Sequence, residues 1–313
     1  MRSRLVPGLT ATVEVPATSA NLGPGFDSLG LALDWYDRST ATVIPGGYEI
    51  KVTGEGAATV PQDETHLVLS TVLQTLGGWG IQVPGLRFEA HNTIPHGRGL
   101  GSSSAALVGG LMLAWALAYP EKEVDRIWLL REAYRYEGHA DNVAPAVHGG
   151  FVITWSGAVL DSPDAGLRAR GSRVHPDVVA VALVPTFEVL TRTARSVLPQ
   201  QVPFTVAVSN ASRAALLVHA MAEEPALFPA ATADRLHQDY RAPLMPQTLE
   251  LVQALRQRGF GSFVSGAGPT ALVLLEQDRL PELTEVLRGL EAAAEFTSHP
   301  LRPGHESRII SVG

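Results

Sequence analysis

The spacing of hydrophobic and polar positions changes several times along the chain and divides it into strands and helices in mixed order. Val13 to Val15 and Leu29 to Ile44 read as extended, with a Gly/Pro/Asn loop from Pro16 to Asp27 between them. Gly46-Gly47 turns the chain toward a strand near Tyr48 to Thr53. From His66 to Leu76 the apolar residues Leu67, Val68, Val72 and Leu76 keep a helical period that Gly77-Gly78 ends. A strand from Leu86 to Ala90 leads into a glycine loop, and the apolar run from Ala105 predicts a buried helix that stops before Pro120. Val124 to Tyr136 predicts an amphipathic helix, Glu137 to Asn142 a loop, and Gly149-Gly150 opens a strand through Trp155.

The stretch from Ser156 to Pro176 is polar and irregular, which suits a junction between domains. Beyond it come a β-branched strand, Val178 to Val184, and helices at Thr191 to Val197, Val206 to Ala222 and Thr248 to Arg258. Phe260 to Val264 and Ala271 to Leu275 read as strands around a third glycine loop, and a helix from Leu280 to Glu291 and two terminal strands finish the chain. This order favours an α+β fold over a doubly wound sheet. A boundary near Asp164 gives two domains, residues 1–164 and 165–313.

Two compositional absences narrow the chemistry. The 313 residues contain no Cys, which excludes disulfides, thiolate nucleophiles, Cys-bound zinc and iron–sulfur clusters. Only Lys51 and Lys122 are lysines; the other 22 of the 24 basic residues are arginines. A P-loop and the strand lysine of protein kinases are therefore missing. The net charge of −7 and the lack of a basic cluster argue against nucleic acid or an anionic membrane as partner. The longest apolar run, Ala105 to Tyr119, is 15 residues, short of the ~20 that span a bilayer. Pro7, Gly8, Thr10 and Thr12 interrupt any signal-peptide core, so the cytoplasm is the expected location.

The most informative segment is Pro95-His96-Gly97-Arg98-Gly99-Leu100-Gly101-Ser102-Ser103-Ser104-Ala105. Alternating glycines allow positive φ and close approach to a ligand, and the helix start behind them offers free N–H groups and partial positive charge. Such a loop is an anion site, most naturally for phosphate, and the serine hydroxyls can hold Mg²⁺ or a phosphate oxygen. It lacks the third glycine of the dinucleotide fingerprint. Two further glycine loops, Asn21 to Asp27 and Ser265 to Thr270, carry polar side chains.

With these motifs the chain resembles the GHMP small-molecule kinases and, among them, the homoserine kinase branch. Pro95 to Ala105 is similar to the P-x-x-x-G-L-G-S-S-x-A signature, Pro16 to Asp27 to the first motif, and Ser265 to Thr270 to the third. Glu137-Gly138-His139-Ala140-Asp141-Asn142-Val143-Ala144-Pro145 resembles E-G-H-P-D-N-V-A-P, with Ala140 in place of proline. The resemblance implies an N-terminal domain of the ribosomal-protein-S5 type and a ferredoxin-like C-terminal domain with the site between them. It also implies a homodimer and ATP-dependent phosphorylation of the L-homoserine side-chain hydroxyl, a step of threonine biosynthesis.

Residue by residue, the resemblance gives Pro95, His96, Gly97, Arg98, Gly99, Leu100, Gly101, Ser102, Ser103, Ser104 and Ala105 to ATP. Ser103 and Glu137 become the Mg²⁺ ligands, with Ser102 as the alternative to Ser103. Asn21, Asp27, Asp141, Asn142, Arg195, Arg241 and Gly266 surround the substrate. Arginine suits an α-carboxylate through its planar fork, and Asp27 or Asp141 suits the α-ammonium. Arg195 also has the charge to face the γ-phosphate. Asp141 is the candidate base by position, although an aspartate beside arginines should have a lowered pKa and be a poor one. Glu137, His139 and Asp141 alternate, so an extended loop would turn all three toward one ion; Mg²⁺ prefers oxygen, and His139 is read as structural. Other GHMP kinases, acting on mevalonate-like acids, sugars or cytidine-linked alcohols, are the alternatives, with an inactive ligand-binding member of the fold behind them.

Overall fold

A computed structural model of the chain describes residues 4–155 and 166–313. The N-terminal half contains β1 (Thr10–Ala20), β2 (Leu29–Val43), β3 (Gly47–Gly54), α1 (Leu67–Gly78), β4 (Gly85–Asn92), α2 (Ser102–Ala118), α3 (Arg126–Glu137), α4 (Ala140–His148) and β5 (Phe151–Trp155). Beyond it lie β6 (Arg168–Ser172), β7 (Val178–Pro185), α5 (Thr191–Ser196), α6 (Phe204–Ala222), α7 (Phe228–Ala231), α8 (Gln238–Arg241) and α9 (Pro246–Gln257). The chain continues through β8 (Gly261–Val264), β9 (Ala271–Glu276), α10 (Leu280–Arg288), β10 (Phe296–Leu301) and β11 (Arg308–Val312).

The first sheet has the order β11-β1-β2-β4-β3, and β5 pairs with β2 and β6 beside it. The length of β2 lets it serve two partners on one edge: Leu29–Leu31 pair with β5, and Arg38–Val43 pair with β4. Among the described strands only β3 and β4 pair in parallel, joined by the crossover helix α1. The second sheet has the order β10-β7-β9-β8, all antiparallel. Taken in sequence as β7, helices, β8, β9, α10, β10, this is the ferredoxin-like arrangement.

Strand β7 explains why the two sheets share a core. It is buried along its whole length, so it reads as a continuous apolar run. Val178, Ala180, Ala182 and Val184 join the core of the first sheet, whereas Val179, Val181 and Leu183 pack with Leu251, Leu255 and Leu283 of α9 and α10. At the centre of the larger core, α2 is buried on nearly every face. Gly110 lets it approach α1 closely, since a Cβ there would meet Thr71 and the Val68 carbonyl.

Several boundaries differ from the sequence reading. Strand β1 continues through Pro16 to Ala20, which read as loop. The register shifts between Pro16 and Ala17, and β11 pairs only with Ala11 to Glu14, so the missing proline N–H interrupts no ladder. Helix α2 starts at Ser102 rather than Ala105. The segment Glu137 to Asn142 is not an extended loop: Glu137 ends α3, Gly138 caps it with φ 76°, and Ala140 opens α4. The expected division between residues 164 and 165 lies outside the described residues. Strands β6 and β11, both C-terminal to it, complete the first sheet.

Candidate active site

The three glycine loops meet around the N-terminus of α2. The Thr18 amide donates to the Leu100 carbonyl at 3.0 Å, and the Thr270 amide donates to the Arg98 carbonyl at 3.1 Å. The Ser265 hydroxyl donates to the Gly99 carbonyl at 2.6 Å, and the Gly266 amide donates to the Ala20 carbonyl at 3.0 Å. Gly99 must be glycine: with φ 76°, a Cβ there would run into the Ser265 and Gly268 carbonyls. These loops enclose a cavity of about 250 Å³ lined by Gly97, Gly99, Gly101 and the three serines, with Glu137, His139, Asp141, Asn142, Arg195, Arg241 and Gly266 opposite.

No side chain caps α2, so its first amides remain directed at the cavity. Ser103 Oγ lies 3.4 Å from Glu137 Oε2, and Ser104 Oγ lies 3.2 Å from Glu137 Oε1. Glu137, on the last turn of α3, thus brings carboxylate and hydroxyl oxygens together at the helix start. The alternation of Glu137, His139 and Asp141 does not build a three-residue metal cluster. The chain turns at Gly138, Asp141 falls in the first turn of α4, and no group of three His, Asp or Glu suited to a metal occurs among the described residues.

At the other end of the cavity, Arg195 forks onto Asp27, with Nη2 2.5 Å from Oδ1 and Nη1 3.3 Å from Oδ2. Asn21, Leu22 and Asp27 all have positive φ (69°, 48° and 55°), a cluster of strain that the surrounding loops hold in place. Asn21 secures it: its Nδ2 donates to the Gly266 carbonyl at 2.9 Å, and its Oδ1 accepts from the Asp27 amide at 3.0 Å. Asn142 Oδ1 accepts from the Thr18 hydroxyl at 2.9 Å.

Arg241 is 1% exposed, yet no carboxylate pairs with it among the described residues. Its Nε donates to the Ala194 carbonyl at 3.2 Å, and Nη1 donates to the Gly266 carbonyl at 2.8 Å and meets His237 Nδ1 at 3.1 Å. Burial and the neighbouring Arg195 lower its pKa to about 10. A guanidinium desolvated in this way and open to a cavity seeks an anion. The Phe26 ring lies 5.5 Å from the Arg195 guanidinium and 5.7 Å from that of Arg241, within cation–π range of both.

Asp141 overturns the expectation of a lowered pKa. Burial raises it to about 7, reinforced by the Asp27 charge and only partly opposed by Arg195. Its Oδ1 is buried without a hydrogen-bond partner among the described residues. A carboxylate with a pKa near neutrality and an unused oxygen can accept a proton. His139 also lines the cavity; burial lowers its pKa first, and Arg195 adds to the effect.

A second cavity of about 240 Å³ lies across Ser102 and Ser103 from the first and is lined by Asp37, His66, Leu67, Val68, Pro61 and His96 among others. Asp37 Oδ1 accepts from the Thr93 amide at 2.6 Å and the Ile94 amide at 3.0 Å, while burial raises its pKa. The sequence reading missed this cavity because its walls come from three separated stretches of chain.

Three residues of the glycine-loop signature have structural contacts. Arg98 donates to the Pro185, His96 and Thr186 carbonyls at 3.0, 2.9 and 2.7 Å and pairs with Glu188 at 2.7 Å, which ties the loop to the end of β7. Leu100 and Ala105 are buried in the core. Two residues beside Arg241 were not anticipated, Phe26 and His237. The i, i+4 spacing of His237 and Arg241 was the available signal.

The pattern of the GHMP kinases N terminal domain matches residues 66–150, and that of the GHMP kinases C terminal matches residues 209–292. The chain is 50% identical over 275 residues to a homoserine kinase of Clavibacter michiganensis subsp. michiganensis, covering 88% of this chain and 85% of that one. It is 48% identical over 290 residues to a homoserine kinase of Streptomyces coelicolor, covering 90% and 89%. The crystal structure of homoserine kinase from Cytophaga hutchinsonii superposes with a TM-score of 0.81 at 28% identity over 96% of this chain and 97% of that one. A mevalonate diphosphate decarboxylase of Enterococcus faecalis shares the fold alone, at 17% identity and a TM-score of 0.68 over 97% and 99%.

Proposed function

The chain belongs to the homoserine kinase branch of the GHMP kinases, and from that premise we propose how its cavity transfers the γ-phosphoryl of ATP to the side-chain hydroxyl of L-homoserine. The observation that carries the reading is the pairing of two opposed features across one cavity: the uncapped, amide-rich start of α2 and the buried Arg241 that lacks a carboxylate. The first suits phosphates and the second an amino-acid carboxylate.

In this reading the nucleoside occupies the apolar cavity beyond Ser102 and Ser103, and its phosphates lie along Gly97 to Ser104. The α-carboxylate rests on Arg241, and the α-ammonium on Asp27. The homoserine oxygen attacks the γ-phosphorus in line, the bond to the ADP oxygen breaks, and the hydroxyl proton passes to Asp141 Oδ1. Arg195 offsets the charge that develops on the transferring group. With no lysine among the residues around the cavity, backbone amides and arginines carry the electrostatic load.

The Ser103 and Glu137 oxygens fit Mg²⁺, which favours oxygen ligands and commonly takes one or two from protein and the rest from phosphate and water. Bound there, the ion would neutralise β- and γ-phosphate charge. We also take the protein to be a cytoplasmic homodimer; no described helix is long and apolar enough to cross a membrane.

The deciding assay is ADP release with Mg-ATP against homoserine, mevalonate, galactose and shikimate. Turnover of homoserine well above the others supports the reading. Turnover confined to another alcohol would remove the substrate assignment and leave the family intact.

A further inference from the structure

We propose that His237 is a positioning residue for substrate recognition: its Nδ1 accepts from Arg241 and fixes the guanidinium that receives the homoserine carboxylate. The inference rests on the reading of Arg241 as the carboxylate site. His237 is fully buried in the turn before α8. Its Nε2 lies 2.9 Å from the Gly23 carbonyl, which can only accept, so Nε2 carries the proton and Nδ1 is left as the acceptor facing Arg241 Nη1 at 3.1 Å. Burial pushes the imidazole pKa down to about 4, which keeps this neutral tautomer in place.

The surroundings agree with that tautomer. Asp234 lies 3.6 Å from Nε2, but its oxygens are occupied by the Leu236, His237 and Gln238 amides. Phe26 covers the imidazole face at a centroid distance of 5.1 Å.

The guanidinium is thereby held at three points: Ala194 by Nε, and Gly266 and His237 by the two hydrogens of Nη1. The hydrogens of Nη2 have no partner among the described residues and remain for a ligand. Removing the histidine acceptor orphans one Nη1 hydrogen in a buried site and frees the fork to rotate. The same imidazole anchors Gly23, so the first glycine loop and the carboxylate site are set by one side chain.

The two imidazole nitrogens can be tested separately. Glutamine places an amide nitrogen near the Nε2 position and keeps the bond to Gly23. Asparagine places a carbonyl oxygen near Nδ1 and keeps the acceptor for Arg241. The experiment is steady-state kinetics of H237Q, H237N and R241Q with both substrates varied, together with thermal unfolding. The expected result is a homoserine KM raised about tenfold in H237Q and restored to within about threefold in H237N, with the ATP KM nearly constant in both. Equal effects of H237Q and H237N on homoserine KM, with R241Q strongly impaired, would overturn the positioning role alone. An unchanged homoserine KM in R241Q would instead overturn the carboxylate assignment beneath it. If the variants do not fold, ¹⁵N spectra of the wild-type histidines decide: an unprotonated Nδ1 at pH 7 supports the proposal, and a protonated one overturns it.

Discussion

Arg195 and Asp27 close on each other at one end of the cavity through both terminal guanidinium nitrogens. The pair joins α5 of the second sheet's domain to the strained first loop. Its side chains are 31% and 40% exposed, so it contributes only about 0–1 kcal/mol. A zwitterion brings its own carboxylate and ammonium, and its entry exchanges this one pair for new ones.

D27N should therefore raise the homoserine KM by roughly tenfold or more, while the melting temperature moves by no more than about 2 °C. A lower KM would show that Asp27 competes with the substrate rather than binding it.

Asp141 should impose an acid limb on kcat with an apparent pKa of about 7, since only the ionised carboxylate accepts a proton. The sign for stability is opposite. The folded pKa lies above the unfolded value of 3.8, so the native state binds the extra proton. Asp141's favourable contribution is fully present below about pH 4 and is lost as pH rises toward 7. D141N should cut kcat at least about a hundredfold yet unfold at a higher temperature than wild type at pH 8, by an amount that shrinks toward pH 5. Near-normal turnover with only a raised KM would assign Asp141 to binding.

E137Q should shift the magnesium requirement. Its amide keeps one acceptor oxygen for the serines but loses the charge, so the Mg²⁺ concentration for half-maximal rate should rise about tenfold, with homoserine KM within about twofold. Superimposable magnesium titrations of variant and wild type would displace the ion from this oxygen pair.

The glycines of the phosphate loop should differ in what alanine costs. At Gly97 a Cβ would touch only the end of the Glu188 side chain, and the penalty is the positive φ alone, about 1–2 kcal/mol. At Gly99 it would strike two backbone carbonyls, so G99A should lose at least about 3 kcal/mol in urea unfolding. Equal losses would mean that the third glycine loop does not abut Gly99 in solution.

Much of this architecture is legible in the sequence because local signals and tertiary demands coincide. The helical period of α1, the apolar run of α2 and the β-branched run of β7 each announce an element that packing then uses. The signal fails where a tertiary partner overrides local composition. Pro16 sits in a strand because β2 pairs beside it, and the first turn of α4 fits against β2 because Gly30 leaves room for the Asp141 carbonyl. The site follows the same division. Its glycines, serines and arginines stand out by type and spacing. The raised pKa of Asp141, the restraint of Arg241 by His237 and the tie of Arg98 to the end of β7 depend on what folding brings beside them.

Strand β11 pairs with β1 across almost the whole chain. During translation the outer edge of β1 therefore waits for its partner while the residues from 21 to 307 are made, roughly 15–60 s at ~5–20 residues per second. The first two glycine loops are synthesised long before the sheet that supports them is closed. Over that interval the charged Glu14 and the proline at position 16 make the open edge a poor template for pairing with another nascent chain.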